Sequence, residues 1–288
     1  MRTLILSTSL LALGTVAAQA QVYGSAGFTF SDTHLSNVAQ NPIVGSPTNE
    51  PFDNTLHRYT GTIGYLWNDM VYGQLEFSSA ETDLDDQTVE DAYLSSYRYA
   101  VRGGYVGGTF VIGAFYGAFE TIQDNDANNR TSEREFWGIE GSYRLPQNVT
   151  AFVQIGQIGG PGGTDGGGDD SIHDADFYLL GASYDLSDFV TLTGSFADAN
   201  GRMDGDDMEA STFSVRMDFD VPSVQNLFLH AEITQTRLFQ DESGGEEMRD
   251  NTISLGATYR FGGQGPMTTM ADLGYLENWS ALSGGVME

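Results

Sequence analysis

Apolar and polar residues alternate one for one along most of this chain, in segments of about ten residues separated by turn-rich stretches. Twelve such segments are legible, near 22–32, 57–67, 70–81, 94–106, 109–120, 134–145, 149–158, 177–186, 189–198, 209–220, 227–238 and 251–261. Period-2 patterning sends successive side chains to opposite faces of a strand. One face is apolar and often aromatic: Tyr59, Ile63, Tyr65 and Trp67; Tyr97, Tyr99, Val101 and Tyr105; Trp137, Ile139, Tyr143 and Leu145; Phe213, Val215, Met217 and Phe219. The other face is polar and carries charge. A chain of this kind is all-β, and its aromatics gather toward the segment ends.

The connections alternate in length. Asn68-Asp69, Gly107-Gly108, Pro146-Gln147-Asn148, Leu186-Ser187-Asp188 and Val221 to Asn226 are short. Longer loops are expected near 33–56, 82–93, 121–133, 159–176, 199–208 and 239–250. Tight turns at one end and long loops at the other mark an up-and-down meander. An even strand count returns both strand termini to the short-turn side.

Periodicity alone fits a soluble β-sandwich with the apolar face as its core equally well; the aromatic segment ends, the alternating loop lengths, the closing segment and the N-terminus together put the apolar face outward. Arg2, an apolar stretch from Leu4 to Val16, and Ala18-Gln19-Ala20 form a secretory signal with a small-x-small cleavage pattern. The stretch is too short for a retained membrane helix, and no later segment is apolar enough to span a bilayer as one. The chain has no Cys, so it carries no disulfide and no thiolate metal site. A sheet whose apolar face meets lipid must close, because lipid supplies no partner for an edge. The expected fold is a closed antiparallel up-and-down transmembrane β-barrel of about 12 strands. Residues 1–20 are the cleaved signal peptide, 21–262 the barrel and 263–288 a periplasmic tail.

The last segment, NTISLGATYRFGG, places Ser254, Gly256, Tyr259 and Phe261 at the spacing polar, x, Gly, x, x, aromatic, x, aromatic. It resembles the closing-strand signal of bacterial outer-membrane barrels. That resemblance makes Gly256, Tyr259 and Phe261 the assembly signal and implies the barrel-assembly machinery and outer-membrane lipid as partners. Over most of its mature length the chain is similar to the broad family of Gram-negative porins, which implies passive diffusion of small hydrophilic solutes. The particular likeness is to small twelve-stranded porins for acidic oligosaccharides, and it is one of architecture.

Twelve strands about 4.8 Å apart and tilted about 40° enclose a backbone radius of roughly 12 Å. Side chains narrow this to a passage for ions or small solutes. The polar face carries Arg58, Glu76, Arg98, Arg102, Glu140, Arg144, Arg216, Asp218, Glu232 and Arg260, which become the pore-lining candidates. A guanidinium in a partly desolvated tube is costly unless paired. The carboxylates either pair with the arginines and rigidify a closed barrel, or leave an Arg track that draws anions. Arg98 and Arg102, four apart on one strand, would be consecutive rungs of such a track; an Arg fork matches a carboxylate.

All 12 basic residues are Arg, against 40 acids, for a formal net charge of −28. Such a surface repels phosphate and excludes nucleic acid as a partner. Acids dominate the expected loops: Glu81, Asp83, Asp85, Asp86, Glu90 and Asp91; Asp165, Asp169, Asp170, Asp174 and Asp176; Asp204, Asp206, Asp207 and Glu209; Asp241, Glu242, Glu246, Glu247 and Asp250. They make either a solvated acidic rim that concentrates cations, or a site for Ca²⁺ or Mg²⁺ between loops, since hard cations take carboxylate oxygens. The stretch GGTDGGGDDSIHDAD resembles a Gly-Asp calcium loop without its repeat.

An enzymatic alternative rests on His34-Leu35-Ser36-Asn37, which matches the His-x-Ser-Asn of outer-membrane phospholipases and lipid A deacylases. Alternation puts His34 and Ser36 on the lipid-facing side, where a serine nucleophile and its base would act on lipid. No third, orienting group stands nearby in sequence. A loop-edge His and Ser making local hydrogen bonds have the same pattern.

About 25 residues follow Phe261, and their period changes. Leu273, Leu276, Trp279 and Leu282 recur at three, with Thr268 or Thr269 as a cap and Gly284-Gly285 as a stop. A short amphipathic helix is expected. It folds into the bore as a plug, lies against the periplasmic rim, binds a partner, or is part of an extension without structure.

Overall fold

The computed structural model describes residues 20–36, 52–84, 93–125, 128–159, 172–203, 206–240, 246–262, 273–276 and 278–279. Twelve strands are present: β1 (Ala20–Ser36), β2 (Phe52–Trp67), β3 (Val71–Leu84), β4 (Tyr93–Gly107), β5 (Phe110–Asn125), β6 (Asn128–Leu145), β7 (Val149–Gly159), β8 (His173–Ser187), β9 (Val190–Met203), β10 (Asp206–Asp220), β11 (Leu227–Gln240) and β12 (Glu246–Gly262). Each pairs antiparallel with its sequence neighbours, and β1 also pairs with β12, from Tyr23 opposite Gly262 to Ser36 opposite Arg249. That last ladder closes the sheet into a barrel. The closing segment therefore acts as the final strand although the chain continues beyond it. Residues 1–19, which hold most of the expected signal peptide, lie outside the described residues.

The short turns fall where expected, and their backbone explains the residues found there. Asn68 and Asp69 have φ of 51° and 58°, and Gln147 and Asn148 have 72° and 60°. Two consecutive left-handed residues give the turn whose twist matches a hairpin, a conformation Asn and Asp tolerate.

The other ends differ from expectation. The strands run 11 to 18 residues, longer than the alternating segments. β5 and β6 are separated only by residues 126–127, and β9 and β10 only by 204–205. The loops expected at 121–133 and 199–208 are thus largely strand. The ladder continues past the lipid belt into water, where both faces are polar and alternation disappears as a signal while backbone pairing persists.

The outer wall is apolar. On β2, β4, β5, β6, β8 and β10 the outward aromatics form pairs six residues apart: Tyr59 and Tyr65, Tyr99 and Tyr105, Phe110 and Tyr116, Trp137 and Tyr143, Tyr178 and Tyr184, Phe213 and Phe219, all exposed. On these six strands two aromatic girdles, about 20 Å apart, thus bracket aliphatic residues such as Ile63, Ile139 and Leu180. Among the described residues no helix is long and apolar enough to cross a membrane.

The interior is not simply polar. Phe115, Phe119, Phe136, Phe152, Phe177 and Leu179 point inward from β5 to β8 and are buried. In the same cluster lie Leu273, Tyr275, Leu276 and Trp279 of the tail. Residues 274–276 and 278–279 are helical. Their side chains reach β2, β7 and β10, on opposite sides of the barrel. The short helix expected in the tail stands inside the bore.

Candidate functional site: the lumen

The ten charged candidates all lie at inward-facing positions of their strands, but the structure divides them between different environments. Glu76 on β3, Arg98 and Arg102 on β4, and Glu140 on β6 form one cluster. Arg102 Nη1 donates to Glu140 Oε2 at 2.5 Å, and its Nη2 donates to Glu76 Oε2 at 3.1 Å. Arg98 Nη1 donates to the same Glu76 oxygen at 3.2 Å. Two positive and two negative side chains cancel. Hydrogen bonds occupy further valences, as burial demands: Gln74 Nε2 donates to Glu76 (2.7 Å), and the Tyr72 hydroxyl and Gln154 Nε2 donate to Glu140 (both 3.1 Å). Arg98 and Arg102 are 2% and 3% exposed. The two guanidiniums face paired carboxylates rather than an open path, so the expectation of consecutive rungs for a passing anion does not describe their geometry.

The network reaches further on both sides. The Tyr23 hydroxyl on β1 donates to Gln74 Oε1 at 3.1 Å. At the other end the Tyr275 hydroxyl donates to Gln154 Oε1 at 3.0 Å. One chain of polar contacts therefore runs from the first strand, through β3, β4, β6 and β7, to the tail.

Above this network the wall is aromatic, and glycines make room for it. Phe115 and Phe177 have ring centroids 6.2 Å apart, and Phe119 and Phe136 stack at 5.9 Å. A Cβ on Gly138 would lie 2.5 Å from Phe115 Cζ, and one on Gly156 would lie 2.6 Å from Phe177 Cζ. The rings lie across the glycines of neighbouring strands and hug the wall. The space this frees is where Tyr275 sits edge-on to Phe177 at 6.0 Å and to Trp279 at 5.0 Å.

The opposite wall, β9 to β12 with β1 and β2, is built from small hydroxyl side chains. Ser195 pairs with Ser214, Thr212 with Thr236, Ser31 with Ser254, Thr33 with Thr252, and Ser25 with Thr62, at 2.8 to 3.1 Å. Thr29 Oγ1 and His230 Nε2 lie 3.0 Å apart. The remaining charges stand among them. Arg216 pairs with Asp218 at 2.7 Å, their side chains 28% and 17% exposed. Arg216 also faces Glu232 across the ladder. The Arg260 guanidinium lies 3.9 Å over the Phe228 ring, and Arg58 Nη2 donates to Asn278 Oδ1 of the tail. Arg144 is at the short-turn rim, 3.8 Å from Asp185 and half exposed.

His34 is exposed on the outward face of β1, across from Asp53 and Asn251, and Ser36 lies across from Arg249. Both stand past Phe28 and Phe30 toward the loop end, and Asn37 lies outside the described residues. Half of the acidic rim does too: Asp85, Asp86, Glu90, Asp91, Asp165, Asp169, Asp170, Asp204, Asp241 and Glu242. Among the described residues no three His, Asp or Glu side chains gather as a metal site.

Sequence reasoning missed the inward aromatics and the tail's partners. The signal for the former was present: β5, β7 and β8 are apolar at both parities, as in Phe115 beside Tyr116 and Phe177 beside Tyr178. Strands apolar on both faces are covered on both.

A closed, lipid-facing barrel of twelve strands with an internal polar network is an outer-membrane barrel. The sequence matches the Gram-negative porin family over residues 11–238, and the chain belongs to that family. It is located in the outer membrane. Among solved structures, an outer membrane channel from Pseudomonas putida F1 is similar at TM-score 0.51 and 12% identity, covering 84% of this chain and 96% of that one. The translocator domain of the autotransporter NalP from Neisseria meningitidis gives TM-score 0.45 and 12% identity, covering 90% and 96%. A BenF-like porin from Pseudomonas fluorescens Pf-5 gives 0.41 and 10%, covering 85% and 100%. No curated protein matches this sequence.

Proposed function

We propose that this porin passes small hydrophilic solutes or ions by diffusion, along a path confined to the hydroxyl-lined wall of β9 to β12, β1 and β2. The observation that carries this reading is the contrast in access between the two charged groups. Arg98, Arg102 and Glu140 are almost fully buried, whereas the Arg216 and Asp218 side chains keep 28% and 17% of their surface. A passing solute touches side chains that water can touch. Ser31, Thr33, Thr212, Thr236 and Ser254 are buried, but Ser25, Thr29, Thr62, Ser195 and Ser214 keep part of their surface, and such hydroxyls, which donate and accept, exchange hydrogen bonds with a hydrated solute at little cost. Arg216, Asp218, Glu232, Arg260 and Arg58 mix both signs along that wall, which suits selection by size over strong selection by charge.

On this reading the chain is not an enzyme. His34 and Ser36 stand outward and beyond the lipid belt, and phospholipid hydrolysis should be absent and unaffected by Ser36→Ala. The main test is single-channel conductance of the folded chain in a planar bilayer. Steps of small, reproducible conductance are expected. Their absence in a preparation whose electrophoretic mobility shows a folded barrel would leave the closed, structural barrel as the correct description.

A further inference from the structure

We infer that the tail residues 273–276 and 278–279 form an autoinhibitory plug, which docks reversibly in the bore and whose departure opens a wider passage. The inference rests on the channel reading above.

The docking is specific at both polar and apolar contacts. Leu273, Leu276 and Trp279 are wholly buried. The Trp279 indole N–H donates to Thr212 Oγ1 at 2.8 Å, the Tyr275 hydroxyl donates to Gln154 Oε1 at 3.0 Å, and Asn278 accepts from Arg58. These three bonds tie the plug to β10, β7 and β2. The apolar residues meet the aromatic wall, with Tyr275 edge-on to Phe177. A helix with side chains is about 10–12 Å across, and the barrel's backbone radius is roughly 12 Å. The plug and the inward side chains therefore account for most of the cross-section.

Two features separate a docked plug from a permanent core. First, the barrel closes without it: the β1–β12 ladder is complete at Gly262, before the tail begins. Every strand is bonded on both edges, so no backbone pairing depends on residues 273–279. Second, ten residues, 263–272, join Gly262 to Leu273. Extended, they reach about 35 Å, enough for the plug to clear the short-turn end without disturbing β12. The three latches are each a neutral hydrogen bond or one to a single Arg, and burial of Leu273, Leu276 and Trp279 supplies the rest of the docking.

The test compares the full chain with a chain ending at Gly265, both refolded and reconstituted in planar bilayers. The truncated barrel should keep its folded electrophoretic mobility and conduct at least about twofold more, in keeping with the section a helix fills. A synthetic peptide of residues 267–288 added to the truncated barrel should restore the smaller conductance, and the same peptide with Trp279→Ala should not. A second variant covers loss of folding on truncation. The chain lacks Cys, so Arg58→Cys with Asn278→Cys can be joined by a short reducible bis-thiol linker. The linked barrel should show only small steps, and reduction should bring back excursions to the large ones. Equal conductance for the full and truncated chains, or for the linked and reduced forms, overturns the plug while leaving the channel standing. If folded full and truncated chains are both silent, the channel reading falls and the plug with it.

Discussion

Arg102 Nε lies 2.7 Å from Glu76 Oε1, joining β4 to β3 where the side chains are only 2% and 10% exposed. The same guanidinium reaches Glu140 on β6. A charge so placed braces the wall, and its loss should be felt in stability before transport. Glu140→Ala removes one partner and leaves Arg102 and the Tyr72 hydroxyl facing a gap. A cost of about 3–5 kcal/mol is expected. Urea unfolding in detergent, followed by tryptophan fluorescence, measures it.

Ion selectivity should follow the other charged group. Arg216 and Arg260 stand on the hydroxyl-lined wall. Removing one charge about 8 Å from a passing ion in water changes its energy by about 0.5 kcal/mol, roughly a factor of two in the permeability ratio. Arg260→Ala should move the reversal potential in a KCl gradient toward cation preference, and Asp218→Asn toward anion preference. Arg98→Ala should leave the ratio unchanged, since that side chain is only 2% exposed.

The fold was legible because lipid imposes one rule on every strand. Ile63, Tyr65 and Trp67, or Leu255, Tyr259 and Phe261, face oil and must be apolar. Interior positions answer to whatever they touch, and that partner is distant in sequence. Glu140 is inward by parity, but nothing local to it says that Arg102, 38 residues away, will be its partner. Trp279 and Thr212 are 67 residues apart. The period-3 pattern of Leu273, Leu276 and Trp279 announced an apolar helix face. The inward Phe115, Phe136 and Phe177 were its complement. Matching the two needed the barrel's closure. The strand extensions at 121–125 and 128–133 were hidden for another reason: above the lipid, backbone pairing alone maintains the ladder.

At the loop end a weaker ion cluster should respond to pH with little effect on stability. On β12 the last outward apolar residue is Ile253, and Glu247 stands beyond the lipid belt. It accepts from Arg249 at 2.6 Å and lies 3.1 Å from Arg237. The Arg249 hydrogen bond, with help from Arg237, holds its carboxyl below the usual carboxylate range. A depressed acid stabilises the folded state above its unfolded pKa, and that contribution is lost as pH falls through the folded value. Both arginines are about half exposed, so solvent and salt screen the pair to about 1 kcal/mol or less. Glu247→Gln should leave the unfolding midpoint at pH 7 within about 0.5 kcal/mol of the parent. The small difference should vanish in acid.

The inward glycines offer the sharpest contrast between neighbouring faces of one sheet. At Gly156 a Cβ would meet Trp137 O at 2.3 Å and Phe177 Cζ at 2.6 Å, and at Gly138 it would meet Ile155 O at 2.3 Å. The carbonyls belong to the ladder and cannot move far, so the strain passes to Phe115, Phe177 and the Tyr275 ring packed on them. Gly156→Ala and Gly138→Ala should each cost about 1–3 kcal/mol. They should also loosen the tail, read as faster chymotrypsin cleavage after Tyr275, Leu276 or Trp279 of the folded barrel. Gly194, by contrast, has nothing within 4 Å of its would-be Cβ. It alternates with the inward Thr193 and Ser195 and so faces lipid. Gly194→Ala should be neutral or stabilising by up to about 1 kcal/mol, because alanine loses less backbone freedom on folding. If all three substitutions cost the same, the aromatic rings do not rest on the glycines, and the shape of the wall that receives the tail has another origin.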